Sequence, residues 1–116
     1  MNIEKTQAQM KKGVLELCIL SIISEKDAYA SDMIEKLKKS KLIVVEGTLY
    51  PLLMRLKNEG LLSYRWEESK SGPPRKYYQT TEIGGQVLKE LNISWQDLVA
   101  AVNDIIQKSK SKVKTK

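Results

Sequence analysis

The segment from Gly47 to Gly60 constrains the fold of this chain more than any other part of the sequence. Its leucines recur at spacings of one, three and four residues, which predicts a helix with one buried stripe made of Leu49, Leu52, Leu53 and Leu56. Pro51 lacks an amide hydrogen and is tolerated only near the start of a helix, so the helix is predicted to begin between Glu46 and Thr48. Gly60 is placed where such a helix ends.

The residues after Gly60 predict a β-hairpin. Two segments, Leu61–Glu67 and Arg75–Thr80, read as strands, and residues 69–74 between them are rich in turn formers. The outward face of the preceding helix carries polar and basic side chains, namely Thr48, Tyr50, Arg55 and Lys57. A helix of this kind followed by a basic hairpin indicates a winged helix-turn-helix, a fold that docks on duplex DNA.

Two further helices are predicted before this unit. The first runs from about Gln7 to about Glu25 and is apolar on more than one face, which suggests that a partner covers its second side. A break at residues 26–28 separates it from the second helix, whose apolar positions follow helical spacing in Ala30, Met33, Ile34 and Leu37.

A last helix is predicted to start at Thr81 or Glu82, with an apolar heptad seam formed by Leu88, Leu91, Trp95, Leu98, Val102 and Ile105. An isolated helix with such a seam needs a surface to pack on, so we expect a two-fold homodimer through these residues. The predicted fold class is therefore mainly α with a small β-hairpin. It comprises a winged helix-turn-helix domain (residues 1–80), a dimerisation helix (81–107) and a disordered basic tail (108–116).

The positive charge is concentrated in the middle of the chain. Residues 36–76 carry ten basic and four acidic groups, a balance of +6, which equals the net charge of the whole chain. The tail from Lys108 to Lys116 adds +5, and the remaining segments are acidic. Clustered positive charge is typical of a nucleic-acid footprint, whereas the tail either clamps DNA nonspecifically or only aids solubility.

Composition argues against an enzyme. The chain has no histidine and one cysteine, Cys18, which lies among apolar residues and is predicted to be a buried, inert thiol. Imidazole bases, Cys/His nucleophile pairs and Cys/His zinc sites are thereby removed, and we expect no cofactor and no metal. The longest apolar stretch, Val14–Ile23, is too short to span a bilayer, so a cytoplasmic protein is the default expectation.

Two blocks of sequence carry a family resemblance. The first contains Gly47-Thr48-Leu49-Tyr50-Pro51, Arg55-Leu56 and Glu59-Gly60-Leu61, and the second contains Gly72, Arg75-Lys76-Tyr77-Tyr78 and Thr81-Glu82-Ile83-Gly84. Together with the order of helices and hairpin, these blocks make the chain similar to PadR-family transcriptional regulators, over residues from about 10 to 106. It resembles in particular the short members whose C-terminal part is a single helix.

The resemblance implies a dimeric, ligand-responsive repressor. Members of the family commonly control genes for detoxification, phenolic-acid stress or multidrug efflux, and some bind flat hydrophobic drugs at the dimer interface on a tryptophan. The chain departs from the family pattern at two places. Ala30 and Ser31 replace a glycine and an aromatic residue, which bears on a DNA-backbone contact, and Thr80 replaces a leucine, which is expected to loosen the packing of the wing.

The candidate DNA-contacting residues are Thr48, Tyr50, Arg55, Lys57, Lys70, Arg75 and Lys76. Arg55 and Lys57 either reach phosphate or a base edge or belong to an ordinary solvated face. Tyr50 either bonds phosphate or packs against the second helix. Because neighbouring side chains of a strand alternate, only one of Arg75 and Lys76 is expected to point at DNA, and Arg75 is alternatively placed to hold the wing to the body.

The candidate ligand-binding residues are Trp95, Glu16, Leu91 and Val99. Trp95 is large for a tight seam between two helices, so it either stacks on a flat aromatic ligand or anchors the dimer interface. Glu16 either faces the same cavity or points to solvent and pairs with Lys12 one turn earlier.

These observations favour a homodimeric DNA-binding regulator whose affinity for a pseudo-palindromic operator responds to a small hydrophobic or aromatic ligand. The expected partners are double-stranded DNA, a second copy of the chain and that ligand, and no membrane. A winged-helix module for protein assembly, without sequence-specific DNA binding, is the alternative. Such a module has no need for positive charge concentrated on residues 36–76.

Overall fold

The structure is a computed structural model that describes residues 1–114. Its elements are, in chain order, α1 (Ile3–Lys12), α2 (Leu15–Glu25), α3 (Ala30–Lys39), α4 (Glu46–Asn58), β1 (Leu62–Ser69), β2 (Gly72–Thr80) and α5 (Glu82–Lys114). Five helices and one antiparallel hairpin confirm the predicted fold class, mainly α with a small β component. Within residues 1–114, no helix is both long enough and apolar enough to cross a membrane.

The prediction of one helix from about Gln7 to about Glu25 is wrong, because the helix is interrupted at Gly13. α1 ends at Lys12 and carries no buried residue, whereas α2 sends Leu15, Ile19, Leu20 and Ile23 into the core. Glycine has low helix propensity, so a helix ends readily at this position. The polar α1 and the apolar α2 are therefore separate helices.

α4 begins at Glu46, within the predicted range, and its stripe buries Leu49, Leu53 and Leu56 completely. Pro51 is therefore the sixth residue of the helix and lies in its second turn. Gly60 ends α4 in the left-handed conformation, with φ of 81°. The amides of Gly60 and Leu61 donate to the carbonyls of Lys57 and Leu56, at 3.0 and 2.9 Å, a Schellman motif that confirms the predicted helix end.

The hairpin is longer and its turn tighter than predicted. β1 and β2 pair from Leu62 opposite Thr80 to Ser69 opposite Gly72, so only residues 70 and 71 form the turn. A backbone bridge adds a third, very short partner: the amide of Ala28 donates to the carbonyl of Tyr78 at 3.0 Å, and the amide of Tyr78 donates back at 2.8 Å. This bridge attaches the wing (β1, β2 and their turn) to the segment just before α3.

Thr81 caps the start of α5 and joins it to the end of α4. Its hydroxyl accepts from the amide of Gly84 at 3.0 Å and donates to the carbonyl of Gly60 at 2.6 Å. The first turns of α5 then pack on the core of their own domain through Val87, Leu88 and Leu91. Leu88 and Leu91 of the predicted seam are therefore half-buried within the protomer itself.

The second half of α5 extends beyond the domain, in a molecule whose longest dimension is 65 Å. Trp95, Leu98, Val102 and Ile105 remain exposed along it, so the outer part of the predicted seam lacks a partner within the protomer. The helix continues to Lys114, which corrects the predicted disordered tail for residues 108–114. Lysine and serine are compatible with helical backbone, and lysine near a helix C-terminus is favoured by the helix dipole. Residues 115 and 116 lie outside the described part of the chain.

Candidate nucleic-acid interface

A groove of about 460 Å³ separates the wing from the N-terminal ends of α3 and α4. We call it the wing groove; its lining residues are Tyr29, Ala30, Ser31, Glu46, Tyr50, Trp66, Pro74, Arg75, Lys76 and Tyr78. Three predicted DNA-contacting residues, Tyr50, Arg75 and Lys76, thus meet in one concave surface. The groove opens beside the exposed face of α4.

Arg75 and Lys76 lie on opposite faces of the hairpin, as strand alternation predicts. Lys76 shares its face with Tyr64 and Trp66, and its ammonium lies 4.6 and 5.6 Å from the centroids of those two rings. That face is turned toward α4, because the buried Tyr78 belongs to it as well. Lys76 therefore presents its charge to the groove.

Arg75 is held by an aromatic column on the other face of the hairpin. Its guanidinium lies 4.0 Å from the centroid of the Tyr29 ring, and that ring lies 4.7 Å from the ring of Tyr77. The guanidinium of Arg65 lies 4.6 Å from the centroid of the Tyr77 ring. The side chain of Arg75 therefore braces the wing against the start of α3, while Arg75 still lines the wing groove.

Arg65 is the electrostatic anchor of this column. It donates to Glu67 at 2.7 Å and to Gln79 at 3.0 Å, and it reaches Asp27 before α3 at 3.5 Å. The hydrogen bond to Glu67 is the main cause that raises the pKa of Arg65. No sequence pattern pointed to Arg65, because two of its three partners, Gln79 and Asp27, lie on β2 and on the α2–α3 connection.

The two residues predicted at the start of α4 face different surroundings. Tyr50 lies in the wing groove and is 47% exposed, whereas Thr48 lines a separate cavity against α1. Residues two positions apart on an α-helix are separated by about 200° around the helix axis, so Thr48 and Tyr50 cannot share a face. Lys57, two turns after Tyr50 on the same side, lies with its ammonium 5.9 Å from the ring centroid of Tyr64. Lys57 therefore adds its charge to the wing side of α4.

Arg55 is occupied by a partner within the domain. Its guanidinium forms an ion pair with Glu16 of α2, and half of the Arg55 side chain remains exposed. This pair corrects the prediction that Glu16 pairs with Lys12. Glu16 is also absent from the cavity beside Trp95, so the structure does not bring it to the predicted ligand site. Lys70, by contrast, lies exposed in the turn at the tip of the wing.

Tyr78 lies at the inner end of the groove and is 4% exposed. Burial is the main cause that raises the pKa of its phenol, and the neighbouring Tyr50 and Tyr64 raise it further. The ring of Tyr64 lies 5.8 Å from that of Tyr78. The inner end of the groove is therefore aromatic.

Seven residues line the groove without having been predicted to contact DNA: Tyr29, Ala30, Ser31, Glu46, Trp66, Pro74 and Tyr78. Ser31 was noted only as a departure from the family pattern, although it is exposed at the mouth of the groove. The signal for Trp66 was present, since it alternates with Tyr64 on one strand and must share its face. The other departure, Thr80, leaves a buried hydroxyl without a hydrogen-bond partner.

A second, apolar groove of about 540 Å³ lies between the α1–α2 junction and α5. We call it the Trp95 groove; its lining residues are Met10, Lys11, Gly13, Val14, Trp95, Leu98, Val99, Val102 and Asn103. Trp95 and Val99 are thus the two predicted ligand residues that the structure brings together, and Leu91 is not among the lining residues. Cys18 is half-buried elsewhere on α2, and burial raises the pKa of its thiol.

The fold and the wing groove define a class of protein, the winged-helix DNA-binding regulators. An exposed helix face lies beside a basic, aromatic-lined hairpin, and the hairpin is braced on the helix-turn-helix by Arg65 and Tyr29. Comparison with known proteins then places the chain within this class. Residues 19–90 match the model of the transcriptional regulator PadR-like family, and the chain belongs to that family.

Solved structures agree with this assignment. A PadR-like transcription factor from Bacteroides fragilis is 57% identical, with a TM-score of 0.74 over 87% of this chain and 98% of that one. A PadR-like regulator from Bacillus cereus is 43% identical, with a TM-score of 0.76 over 85% and 97% of the two chains. A PadR-family regulator from Eggerthella lenta is 32% identical, with a TM-score of 0.83 over 90% and 91%.

Membership confirms several predictions made from sequence. The family resemblance, the role in transcription regulation through DNA and the winged-helix fold all follow from it. Because the family consists of transcription regulators, the prediction that the chain is not an enzyme is also confirmed.

Proposed function

We propose that the chain is a homodimeric repressor that binds operator DNA with α4 in the major groove and the wing at the adjacent backbone and minor groove. The observation that carries the proposal is the convergence of Tyr50, Arg75 and Lys76 on the wing groove beside the exposed face of α4. Lys57 and Lys70 extend this basic surface along α4 and to the tip of the wing. Phosphate contacts of this kind fix the register of a protein on duplex DNA.

Thr48 and Arg55 are secondary candidates in this proposal. Thr48 lies at the start of α4, where side chains commonly reach base edges, although it faces α1 rather than the wing. Arg55 can reach phosphate only by exchanging or sharing its ion pair with Glu16. We therefore expect Lys57 and Lys76 to contribute more to DNA affinity than Arg55.

The proposed dimer rests on the unpartnered apolar side of α5. Leu98, Val102 and Ile105 are 56%, 45% and 67% exposed on a helix that extends past its own domain. Exposed apolar residues in a row favour burial against a second copy, since each fully buried side chain contributes about 1.5–3 kcal/mol. In such a dimer the two α4 helices must meet successive major grooves about 34 Å apart on a pseudo-palindromic operator.

The proposed ligand site is the Trp95 groove, where the indole and Val99 form apolar walls that suit a flat hydrophobic molecule. A ligand between α5 and the α1–α2 junction would change the angle of α5 and hence the spacing of the α4 helices. Operator affinity responds only if the ligand prefers one dimer geometry over the other. Replacing Trp95 with Ala is expected to abolish the response to a flat aromatic dye while sparing DNA binding. Unchanged dye affinity in that variant would overturn the site.

The DNA-binding proposal is tested by titrating the protein with a duplex from its own upstream promoter and with a scrambled duplex, across a salt series. Tight, salt-sensitive binding that strongly prefers the promoter supports a regulator of its own gene. Equal and weak binding to both duplexes would contradict that autoregulation and favour a different operator or the assembly module. Sedimentation of the free protein tests the dimer independently.

A further inference from the structure

We infer that Trp66 is a DNA-contacting residue that packs its indole on the sugar-phosphate backbone between the major groove and the wing. This inference rests on the proposed docking of α4 and the wing. Trp66 lies in the middle of β1, opposite Lys76, and not at the hairpin tip. It lines the wing groove across from Tyr50 of α4.

The position of Trp66 matches the path of the DNA strand. With α4 in one major groove and the wing tip at the neighbouring minor groove, the strand that separates the two grooves must cross the wing groove. The backbone of B-DNA carries regularly spaced phosphates joined by apolar deoxyribose rings. A surface that accepts it needs a cation for the phosphate and an apolar wall for the sugar.

The wing groove offers both. The ammonium of Lys76 lies 5.6 Å from the centroid of the Trp66 ring, so a phosphate at Lys76 places the adjoining sugar against the indole. Arg75 supplies a second cation on the rim, and Glu46 is the single acidic residue among those that line the groove. The balance of charge therefore suits an anionic strand.

Packing within the protomer does not account for Trp66. Its ring meets Tyr64 edge-on, with centroids 5.9 Å apart, and yet 61% of the residue remains exposed. The neighbouring Tyr64 is half-buried and Tyr78 is buried, so the exposed indole marks the end of the aromatic face nearest to solvent. An indole that only stabilised the wing would be expected to pack more of its surface.

The salt dependence of binding separates this role from a charge contact. Replacing Trp66 with Ala should weaken binding to a mixed-sequence duplex at low salt about tenfold, because the variant loses the apolar area that the indole buries against the sugar. The slope of log K against log salt should stay unchanged, because the indole displaces no counterion. Replacing Lys76 with Gln should weaken binding and also reduce that slope by about 1.

Two further measurements distinguish contact from folding. Trp66→Phe keeps an aromatic wall and should bind within about threefold of the wild type. The Trp66→Phe variant keeps Trp95 as its only indole. Its tryptophan emission should therefore lack the change that duplex DNA causes in the wild-type protein. The circular dichroism spectrum of Trp66→Ala should match that of the wild type.

Wild-type affinity in Trp66→Ala, or a DNA-induced emission change of full size in Trp66→Phe, would overturn the inference and leave the proposed function intact. Absence of binding to any duplex by the wild-type protein at low salt would instead overturn both. A backbone contact is independent of sequence, so neither result requires the operator to be known.

Discussion

Gly84 and Gly85 are adjacent in the first turn of α5, and the structure predicts opposite effects for the same substitution. A Cβ atom on Gly84 would lie 2.1 Å from the carbonyl oxygen of Leu61 and 3.0 Å from its carbon, whereas a Cβ on Gly85 would meet nothing within 4 Å. The atoms nearest to a Gly84→Ala methyl are backbone atoms of Leu61, so no side-chain rotation relieves the clash. α5 or the end of α4 must move.

The magnitude follows from the contacts around Leu61. An ordinary C···O contact is about 3.3 Å, so the start of α5 must shift by roughly 1 Å, and overpacking of this kind costs about 1–3 kcal/mol. The shift also strains two hydrogen bonds that hold the joint, from the Thr81 amide to the Leu61 carbonyl at 3.2 Å and from the Thr81 hydroxyl to the Gly60 carbonyl at 2.6 Å. Each contributes about 1 kcal/mol, and the higher helix propensity of alanine offsets about 1 kcal/mol.

We therefore expect Gly84→Ala to lower the free energy of unfolding by about 2–4 kcal/mol. Gly85→Ala should raise it by about 0.5–1 kcal/mol, because the site is helical and open. The assay is thermal and urea unfolding of both variants at one protein concentration, since association contributes to apparent stability. Equal stability of the two variants, or a stabilised Gly84→Ala, would refute the close approach of α5 to Leu61.

Four further predictions concern single residues. Thr80→Val keeps the side-chain shape and removes the unpartnered hydroxyl, so it should stabilise the fold by about 1 kcal/mol, and a lower Tm would contradict this. Lys41 follows α3 in the left-handed conformation, with φ of 66°, so Lys41→Gly should raise the free energy of unfolding in urea by about 0.5–1 kcal/mol. A lower free energy of unfolding would show that the lysine side chain stabilises that turn. Arg55→Ala should cost less than about 1 kcal/mol and reduce the salt slope of DNA binding less than Lys76→Gln, and an equal reduction would place the Arg55 charge on DNA. Burial raises the pKa of the Cys18 thiol, so the contribution of the thiol to stability is present below its ordinary pKa and is lost as pH rises through the raised value. A disulfide reagent should react with Cys18 more slowly than with free cysteine, and equal rates would contradict the burial.

Much of the architecture was predictable because it depends on local patterns. The leucine spacing of α4, the glycine that ends it and the alternating strands with their turn formers each specify one element within a few residues of sequence. The interruption between α1 and α2 at Gly13 was not predicted, because a glycine next to a long apolar pattern can either be tolerated inside a helix or end it. The extent of α5 past Gln107 was missed because polar composition was interpreted as disorder.

The candidate site was predictable only in part. Tyr50, Arg75 and Lys76 were found because they lie on the exposed faces of elements whose order already indicated a winged helix. The ion pair between Arg55 and Glu16 joins residues far apart in the chain, and no spacing rule connects them. The same holds for Tyr29, which becomes part of the interface only because the wing folds back on the start of α3.

The sequence by itself determined which side of each element is apolar, where α4 ends, and that positive charge is concentrated on residues 36–76. Only the tertiary structure decided which contacts these side chains make. Arg55 pairs with Glu16 of α2, Leu88 packs on its own domain, and Trp66 lies across the wing groove from α4. The physical reason is that periodicity encodes the orientation of a residue relative to its own element. Contacts between elements depend on how their surfaces pack, which the whole core settles together.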